Sequence, residues 1–468
     1  MTTRTIRCGP AGLLSAIAIF AAAGTAAEEP GRILFADVDV FDGQNERLAR
    51  GMNVLVEANL IKTISSEQIT VERETTVIDG KGRTLMPGLI DLHVHLITNG
   101  DGGLVDVEAN FTWEDLAIRA AAMARQYLYE GFTTVRDMGG LGGGLRRQIE
   151  KGYAVGPRVY NAGGWIGPPG GHSDFRNFTM PQNQDYSQVE RLGIAWNVNG
   201  AVEVTAAARQ NFMQGATHLK IMQTGGVASL FDPWQLNGLN EDEIRAAVRV
   251  AENYGSYVGA HSYTKDAMIR ALDMGVKTIE HGFMFDRDVA RKMKEKGAYL
   301  VTQMTSMAPG LSEIGALQDP RTAYKLRTAQ AAFGSYVENV KRYEPRFGYM
   351  TDCVGGLETC ERQIAYEKWL HAEFFGTFHM LKAATGTAGE ILALSGPVVN
   401  PYVEGKLGVI EEGAYADILL VDGNPIEDIT VIGAVDRWFD APPRDGVETI
   451  RMIMKDGVIY KNTLADGR

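Results

Sequence analysis

From Trp113 to Thr302 the apolar positions change rhythm in a repeating way. Stretches in which apolar residues return every third or fourth place alternate with short, nearly uninterrupted apolar runs. The first pattern marks amphipathic helices and the second buried strands. Trp113 to Glu130 is helical in period and Phe132-Thr133-Thr134-Val135 follows as a strand. Ala201 to Gln214 precedes His218-Leu219-Lys220-Ile221-Met222. Glu241 to Tyr254, opened by Asn240 as N-cap, precedes Tyr257-Val258-Gly259-Ala260-His261. Asp266 to Met274 precedes Lys277-Thr278-Ile279-Glu280-His281, and Arg287 to Lys296 precedes Tyr299-Leu300-Val301-Thr302. Strands without polar alternation are covered on both faces, so this repetition predicts a parallel sheet, and the number of units predicts closure into an α/β (β/α)8 TIM barrel. Leu89 to His95, after the turn signal Pro87-Gly88, supplies the first strand, and Phe347 to Asp352 the eighth. Between the seventh and eighth, Ala308 to Arg346 forms a polar, helix-rich excursion. It reads as a surface helix, with a cover over the strand ends as the other reading.

Both chain ends have a different texture. Ile33 to Val38, Asn53 to Val56, Leu60 to Ile64 and Thr76 to Asp79 are short strand-like runs punctuated by glycine, and Ala416 to Val421, Ile450 to Met454 and Val458 to Tyr460 repeat the style. Two such segments can pair, which predicts a small β-sandwich domain from residues 28–86 and 403–468 with the barrel, 87–402, inserted between them. Ahead of both, Arg4 and Arg7 precede an apolar run from Ala11 to Ala23, then the small residues Gly24-Thr25-Ala26-Ala27. This reads as a signal peptide over 1–27, cleaved near Ala27, with export to the periplasm or beyond the cell. The run falls short of the roughly 20 residues that span a bilayer, and a retained anchor is the alternative.

The chain has 468 residues, 45% of them hydrophobic, and 54 glycines, which suits a large globular α/β chain with many tight strand–helix turns. A formal net charge of −12, with no basic patch interleaved with aromatics, argues against a nucleic-acid partner. Of three cysteines, Cys8 lies before the apolar run, so the mature chain keeps Cys353 and Cys360. An exported protein can join such a pair, but spacing alone does not decide it.

Chemistry-bearing residues fall where a barrel collects them. His93 and His95, two apart on one strand, point to one face. They, His261, His281 and Asp352 all stand at or near C-terminal strand ends, where barrel active sites form. Histidine nitrogen with carboxylate oxygen is a zinc donor set. Lys220 lies mid-strand. It is either an ordinary lysine paired with a carboxylate or an amine carboxylated by carbon dioxide, which would make it an anionic ligand.

Pro87 to His95, Lys220 followed by Thr224 to Ser229, Gly259 to Thr264, Thr278 to Gly282 and Thr351-Asp352 together resemble the amidohydrolase superfamily, in the imidazolonepropionase-related branch that contains carboxylated-lysine Xaa-Pro dipeptidases and ochratoxin-cleaving amidases. The resemblance runs over nearly the whole mature chain. It implies that His93, His95 and Asp352 hold one metal ion, that His261 and His281 hold a second, and that carboxylated Lys220 bridges them. The cofactors implied are two divalent ions, zinc foremost. A hydroxide between them would attack the substrate carbonyl while Asp352 serves as general base and then acid. Tyr263 and His172, within Gly170 to Asp174, are candidate substrate contacts, each also readable as plain packing. Arg136-Asp137 reads as a structural ion pair. The loop Leu230 to Leu236 departs from the family pattern, and its Trp234 and Phe231 suggest an aromatic wall.

The function these residues imply is hydrolysis of an amide or peptide bond in an N-acyl amino acid or dipeptide with a free C-terminal carboxylate. Hydrolysis of a ring amide or lactone is the second reading, and an inactive binding protein that keeps the fold is the third. The partners implied are a small-molecule substrate and, through the resemblance, a homo-oligomer.

Overall fold

The computed structural model describes residues 31–97, 103–181, 186–313, 317–438 and 441–464. The signal-like segment and Cys8 lie outside them. Eight strands from the two chain ends form one mixed sheet. They are β1 (Arg32–Val40), β2 (Ala49–Glu57), β3 (Leu60–Ser65), β4 (Thr76–Asp79), β5 (Thr84–Pro87) and, from the far end, β16 (Ile418–Val421), β17 (Ile450–Lys455) and β18 (Val458–Asn462). The order is β18-β17-β16-β5-β1-β2-β3, with β4 on β1. The hairpin between β17 and β18 turns on Asp456-Gly457, both at positive φ, as a two-residue turn demands. Phe35, Val54, Leu85, Ile418, Leu420 and Met452 bury the inner face.

The chain passes from β5 into β6 (Leu89–Val94) with only Gly88 between, so the expected turn is a direct crossing from one sheet to the next. A Cβ at Gly88 would stand 2.0 Å from the Thr133 hydroxyl, which restricts that crossing to glycine. The barrel strands follow: β7 (Phe132–Asp137), β8 (Arg158–Asn161), β9 (Trp165–Gly167), β11 (Leu219–Met222), β12 (Val258–Ser262), β13 (Thr278–His281), β14 (Tyr299–Thr302) and β15 (Phe347–Tyr349). β6, β7 and β8 form one parallel run; β9 and β11 to β15 form another, flanked by the short β10 (Ala195–Asn197). β8 and β9 act as one stave broken at residues 162–164: β8 pairs β7, and β9 pairs β11. The ring closes where the Asp352 N–H donates to the His93 carbonyl at 2.9 Å. The result is the barrel that the alternating pattern predicts, TIM-barrel-like and α/β.

The connecting helices follow the apolar rhythm. Trp113–Tyr129, Ala201–Met213, Glu241–Asn253, Lys265–Asp273 and Arg287–Lys296 pack their apolar stripes on the staves. Asn240 caps its helix reciprocally with Glu243. Below the barrel, Arg158 of β8 bonds Asp417 and Asp456, which ties the sheet to the staves. The excursion holds the helices Pro320–Ala332 and Tyr336–Tyr343. It packs beside the strand ends, with Leu326, Ala329, Phe333, Tyr336 and Val340 buried and Phe333 against Tyr263, and so it flanks the site. Cys353 and Cys360 form a disulfide. Among the described residues no helix is long and apolar enough to cross a membrane.

Candidate metal centre and active site

Side-chain alternation explains part of the centre. On β6, Asp91, His93 and the following His95 face inward; on β11, Lys220 and Met222 do; on β12, His261 does, followed by Tyr263. Alternation would send His281 outward with Ile279. It reaches the site because the backbone turns over at φ 70°, and Asp352 does the same at φ 49°. Non-glycine residues at positive φ are uncommon and collect where function requires a side chain to be aimed.

His93 Nε2 and His95 Nε2 are 3.2 Å apart, and Asp352 Oδ1 lies 3.7 Å from the first and 3.3 Å from the second. His93, His281 and Asp352 offer ligand atoms all within 4.8 Å of one another. Lys220 Nζ is 3.4 Å from His93 Nε2. His261 lies 4.5 Å from His281, ring centre to ring centre. The structure thus gathers all six of His93, His95, Lys220, His261, His281 and Asp352 in one place.

The outer hydrogen bonds assign the tautomers. His93 Nδ1 faces Glu280 Oε2 at 3.1 Å, His95 Nδ1 faces the Gly139 carbonyl at 3.3 Å, and His261 Nε2 faces the Gly225 carbonyl at 3.1 Å. Each partner accepts, so each of those nitrogens carries the proton, and the opposite nitrogen is left as a lone pair. Burial also holds His93 and His261 well below the usual histidine range and His281 down to about 3, which keeps the rings neutral. Converging lone pairs beside a carboxylate repel one another unless a cation lies between them. The donor set therefore fits a divalent metal ion. Burial pulls the Lys220 ammonium down to about 8, against Glu280 and Asp352, which raise it. A larger neutral fraction is what reaction of the amine with carbon dioxide requires.

Three supporting groups went unread in the sequence. Glu280 lies beneath His93 and is bound by both its oxygens to Arg136 Nη2, at 3.0 and 2.8 Å, with neither side chain exposed. Arg136 therefore pairs across the barrel with β13, not with its neighbour Asp137. The Asp137 carboxylate instead accepts the Leu96 and Gly139 N–H groups. Gln303 spans His281 Nδ1 and Asp352 Oδ2, at 3.2 Å each. Asp91 accepts the Thr351 hydroxyl at 2.6 Å and its N–H at 3.2 Å, anchoring the residue before Asp352. Glu280, adjacent to His281, and Asp91, two residues before His93, left a readable trace, each on the inward phase of its strand; Gln303 left none.

The centre opens into a cavity whose apolar walls include Leu104, Trp165, Phe175, Met222 and Val354. Tyr263 and His172 line it as well. Burial pushes the Tyr263 phenol well up, so it keeps its proton and can donate it. The His172 ring stacks on His261 with centres 4.3 Å apart, and its Nδ1 is held by Ser229 Oγ at 2.9 Å and Asp232 at 3.3 Å. The expected wall of Trp234 and Phe231 is not part of this lining. Trp234 is buried with its Nε1 donating to Thr328, and Phe231 is exposed against Phe178. Trp165 and Phe175, from the third stave and its loop, provide the aromatic wall instead.

The amidohydrolase family model matches residues 84–461 of the chain. The ochratoxinase of Aspergillus niger is 28% identical over 360 residues, 74% of this chain and 72% of that one. A crystal structure of an amidohydrolase superposes with a TM-score of 0.80 at 32% identity, over 92% of this chain and all of that one. A prolidase crystallised with N-methylphosphonate-L-proline does so with a TM-score of 0.79 at 31% identity, over the same shares.

Proposed function

The chain belongs to the amidohydrolase family and is a hydrolase acting on amide bonds; from that premise and the geometry of its centre we propose an exported, binuclear metalloenzyme that cleaves an N-acyl amino acid or dipeptide with a free C-terminal carboxylate. The observation that carries the reading is the convergence of six donors, with the histidine protons tied outward and the lone pairs turned inward. In this reading His93, His95 and Asp352 would hold one zinc ion and His261 and His281 a second, with a carboxylated Lys220 as a further anionic ligand to them. Ions bound there would polarise the scissile carbonyl and lower the pKa of water.

The chain's own groups do the rest. Asp352 takes a proton from the attacking water and returns it to the leaving amine. Gln303 holds the Asp352 carboxylate on one side and leaves the other facing the centre. Tyr263 donates to the substrate's carbonyl or carboxylate oxygen. His172, fixed by Ser229 and Asp232, orients the substrate from the opposite wall. The packed walls exclude water, so each polar contact acts in a low dielectric. Export has the support of the amino-terminal sequence and of the Cys353–Cys360 disulfide, a bond that persists in oxidising compartments. In the same reading, the sheet from residues 28–86 and 403–468 is a separate small β-sandwich domain around its own apolar cluster.

The test is metal content per subunit of the purified protein and of Lys220→Ala, alongside amine release from a panel of N-acyl amino acids and dipeptides. About two ions in the parent, lost together with activity in the variant, are expected. One ion or none, unchanged in the variant, would overturn the lysine as a ligand. Turnover confined to ring amides or lactones would overturn the substrate class.

A further inference from the structure

A second cavity adjoins the first and meets it at Ala228, Tyr263, Asp352 and Val354. Its walls are Phe283 and Phe333, tilted against each other with centres 4.3 Å apart, with Leu311, Leu317 and Leu326 from the excursion. Asp352, which the two cavities share, is its one charged lining residue among the described residues. Gln363, Thr305 and Gln303 of its floor are already committed, and the Ser306 and Tyr263 hydroxyls complete the polar lining with Asp352. Gln363 donates to the Thr351 carbonyl and Thr305 Oγ1, the Thr305 N–H goes to Glu367, and Gln303 bonds His281 and Asp352. A ligand entering there meets mostly methyl groups and ring faces.

The roof is anchored. Lys325, one residue before Leu326, turns away from the cavity and bonds the Asp232 carbonyl at 2.8 Å and Ser229 Oγ at 3.2 Å. Trp234 Nε1 donates to Thr328, the Tyr336 hydroxyl to Thr302 Oγ1 at 2.6 Å, and the Asn339 amide to the Phe285 carbonyl. These ties reach the loop after β11, β14 and the residues after β13. A roof held at this many points is a preformed wall.

We propose that this second cavity is a substrate subsite which takes a large, uncharged apolar group, aromatic or branched aliphatic. The enzyme would then act on amides that carry bulky apolar groups on both sides of the scissile bond, one against Trp165 and Phe175 and the other beneath the excursion. The inference rests on the hydrolase reading above and deepens it. The centre lines the first cavity and the second meets it at Asp352 and Tyr263, so a substrate whose scissile carbonyl is at Asp352 can send one group into each.

The experiment uses the metal-loaded enzyme and a two-dimensional panel of N-acyl amino acids. The acyl group is acetyl, hexanoyl, benzoyl or succinyl, and the amino acid is glycine, leucine, phenylalanine, lysine or aspartate. Along both axes kcat/KM rises by about tenfold to a hundredfold from the smallest to the bulky apolar member, the range expected for burying one such side chain. It falls for the charged members. Leu311→Lys, at the half-buried rim, removes the apolar preference along one axis and leaves the other axis and the metal content unchanged. Leu326→Phe, which narrows the cavity without adding charge, shifts the same axis toward smaller groups. A flat response along one axis in the parent, or variants that alter both axes alike, overturns the subsite while leaving the hydrolase reading intact. A parent that hydrolyses no member of the panel overturns both.

Discussion

Replacing Glu280 with glutamine separates two tasks that one carboxylate performs. Glu280 accepts two bonds from Arg136, one from Thr278 Oγ1 at 2.5 Å and one from His93 Nδ1 at 3.1 Å. Glutamine keeps the shape but only one acceptor oxygen, so its amide must face a donor at either Arg136 or His93. The guanidinium loses its counter-charge while its remaining partners, the Leu92 carbonyl, Tyr257 and Thr278, are neutral. Removing one member of a fully buried ion pair costs about 3–5 kcal/mol. In the metal-free protein, guanidinium denaturation should show a loss of that order for Glu280→Gln. Zinc affinity, measured by competition with a chromophoric chelator, should fall about tenfold to a hundredfold, because His93 loses the acceptor that fixes its tautomer. Arg136→Met combined with Glu280→Gln should recover at least half of the stability, since no unpaired charge remains, but none of the zinc affinity. A single variant that loses less than about 1 kcal/mol, far below the cost of breaking a buried pair, would refute the reasoning. So would unchanged zinc affinity, or a double variant that restores it.

Lys220 sets a pH dependence on assembly. Only the neutral amine reacts with carbon dioxide, and with its pKa pulled down to about 8 the neutral fraction climbs from about 1% at pH 6 to about half at pH 8. Reactivation of chelated enzyme by zinc should therefore accelerate roughly fiftyfold over that interval, level off above it, and respond to added bicarbonate; a rate flat in pH and in bicarbonate would rule out carboxylation. Tyr263→Phe removes a hydroxyl from the wall of the active-site cavity. It should lower kcat/KM by about tenfold or more with the metal content unchanged, as expected for one lost hydrogen bond to a polar substrate atom. Equal activity would return Tyr263 to packing. Reducing the disulfide, or Cys353→Ser, opens a link of seven residues' separation directly after Asp352. Chain entropy sets that link at about 2–3 kcal/mol, and thermal unfolding with and without reductant should show a lower midpoint, with kcat falling more than KM changes. A midpoint indifferent to reductant would remove the disulfide from the account.

What the sequence made legible follows the two backbone periods. The barrel showed itself because each stave is an apolar run between helical stretches, and the end sheet because glycines and Asp456-Gly457 punctuate it. Period two also places His93 with His95, and His261 with Tyr263, on shared faces, and the folded chain has them there. The same rule fails at the sixth and eighth staves. Applied to Thr278-Ile279-Glu280-His281, it turns Glu280 inward and His281 outward, so one of them must be surrendered. The chain keeps both by rolling the backbone to φ 70° at His281, and it aims Asp352 in the same way at φ 49°. Left-handed backbone at a histidine or an aspartate has no residue code comparable to glycine, so nothing in the letters announces it. The loop after β11 misled for a related reason. Trp234 and Phe231 suggest a wall by their size, but the helix from Pro320 receives Trp234 through Thr328, a partner 94 positions away. Local pattern identifies which residues a stave offers to the site; which of them the site takes is decided by contacts across the barrel, such as Arg136 to Glu280.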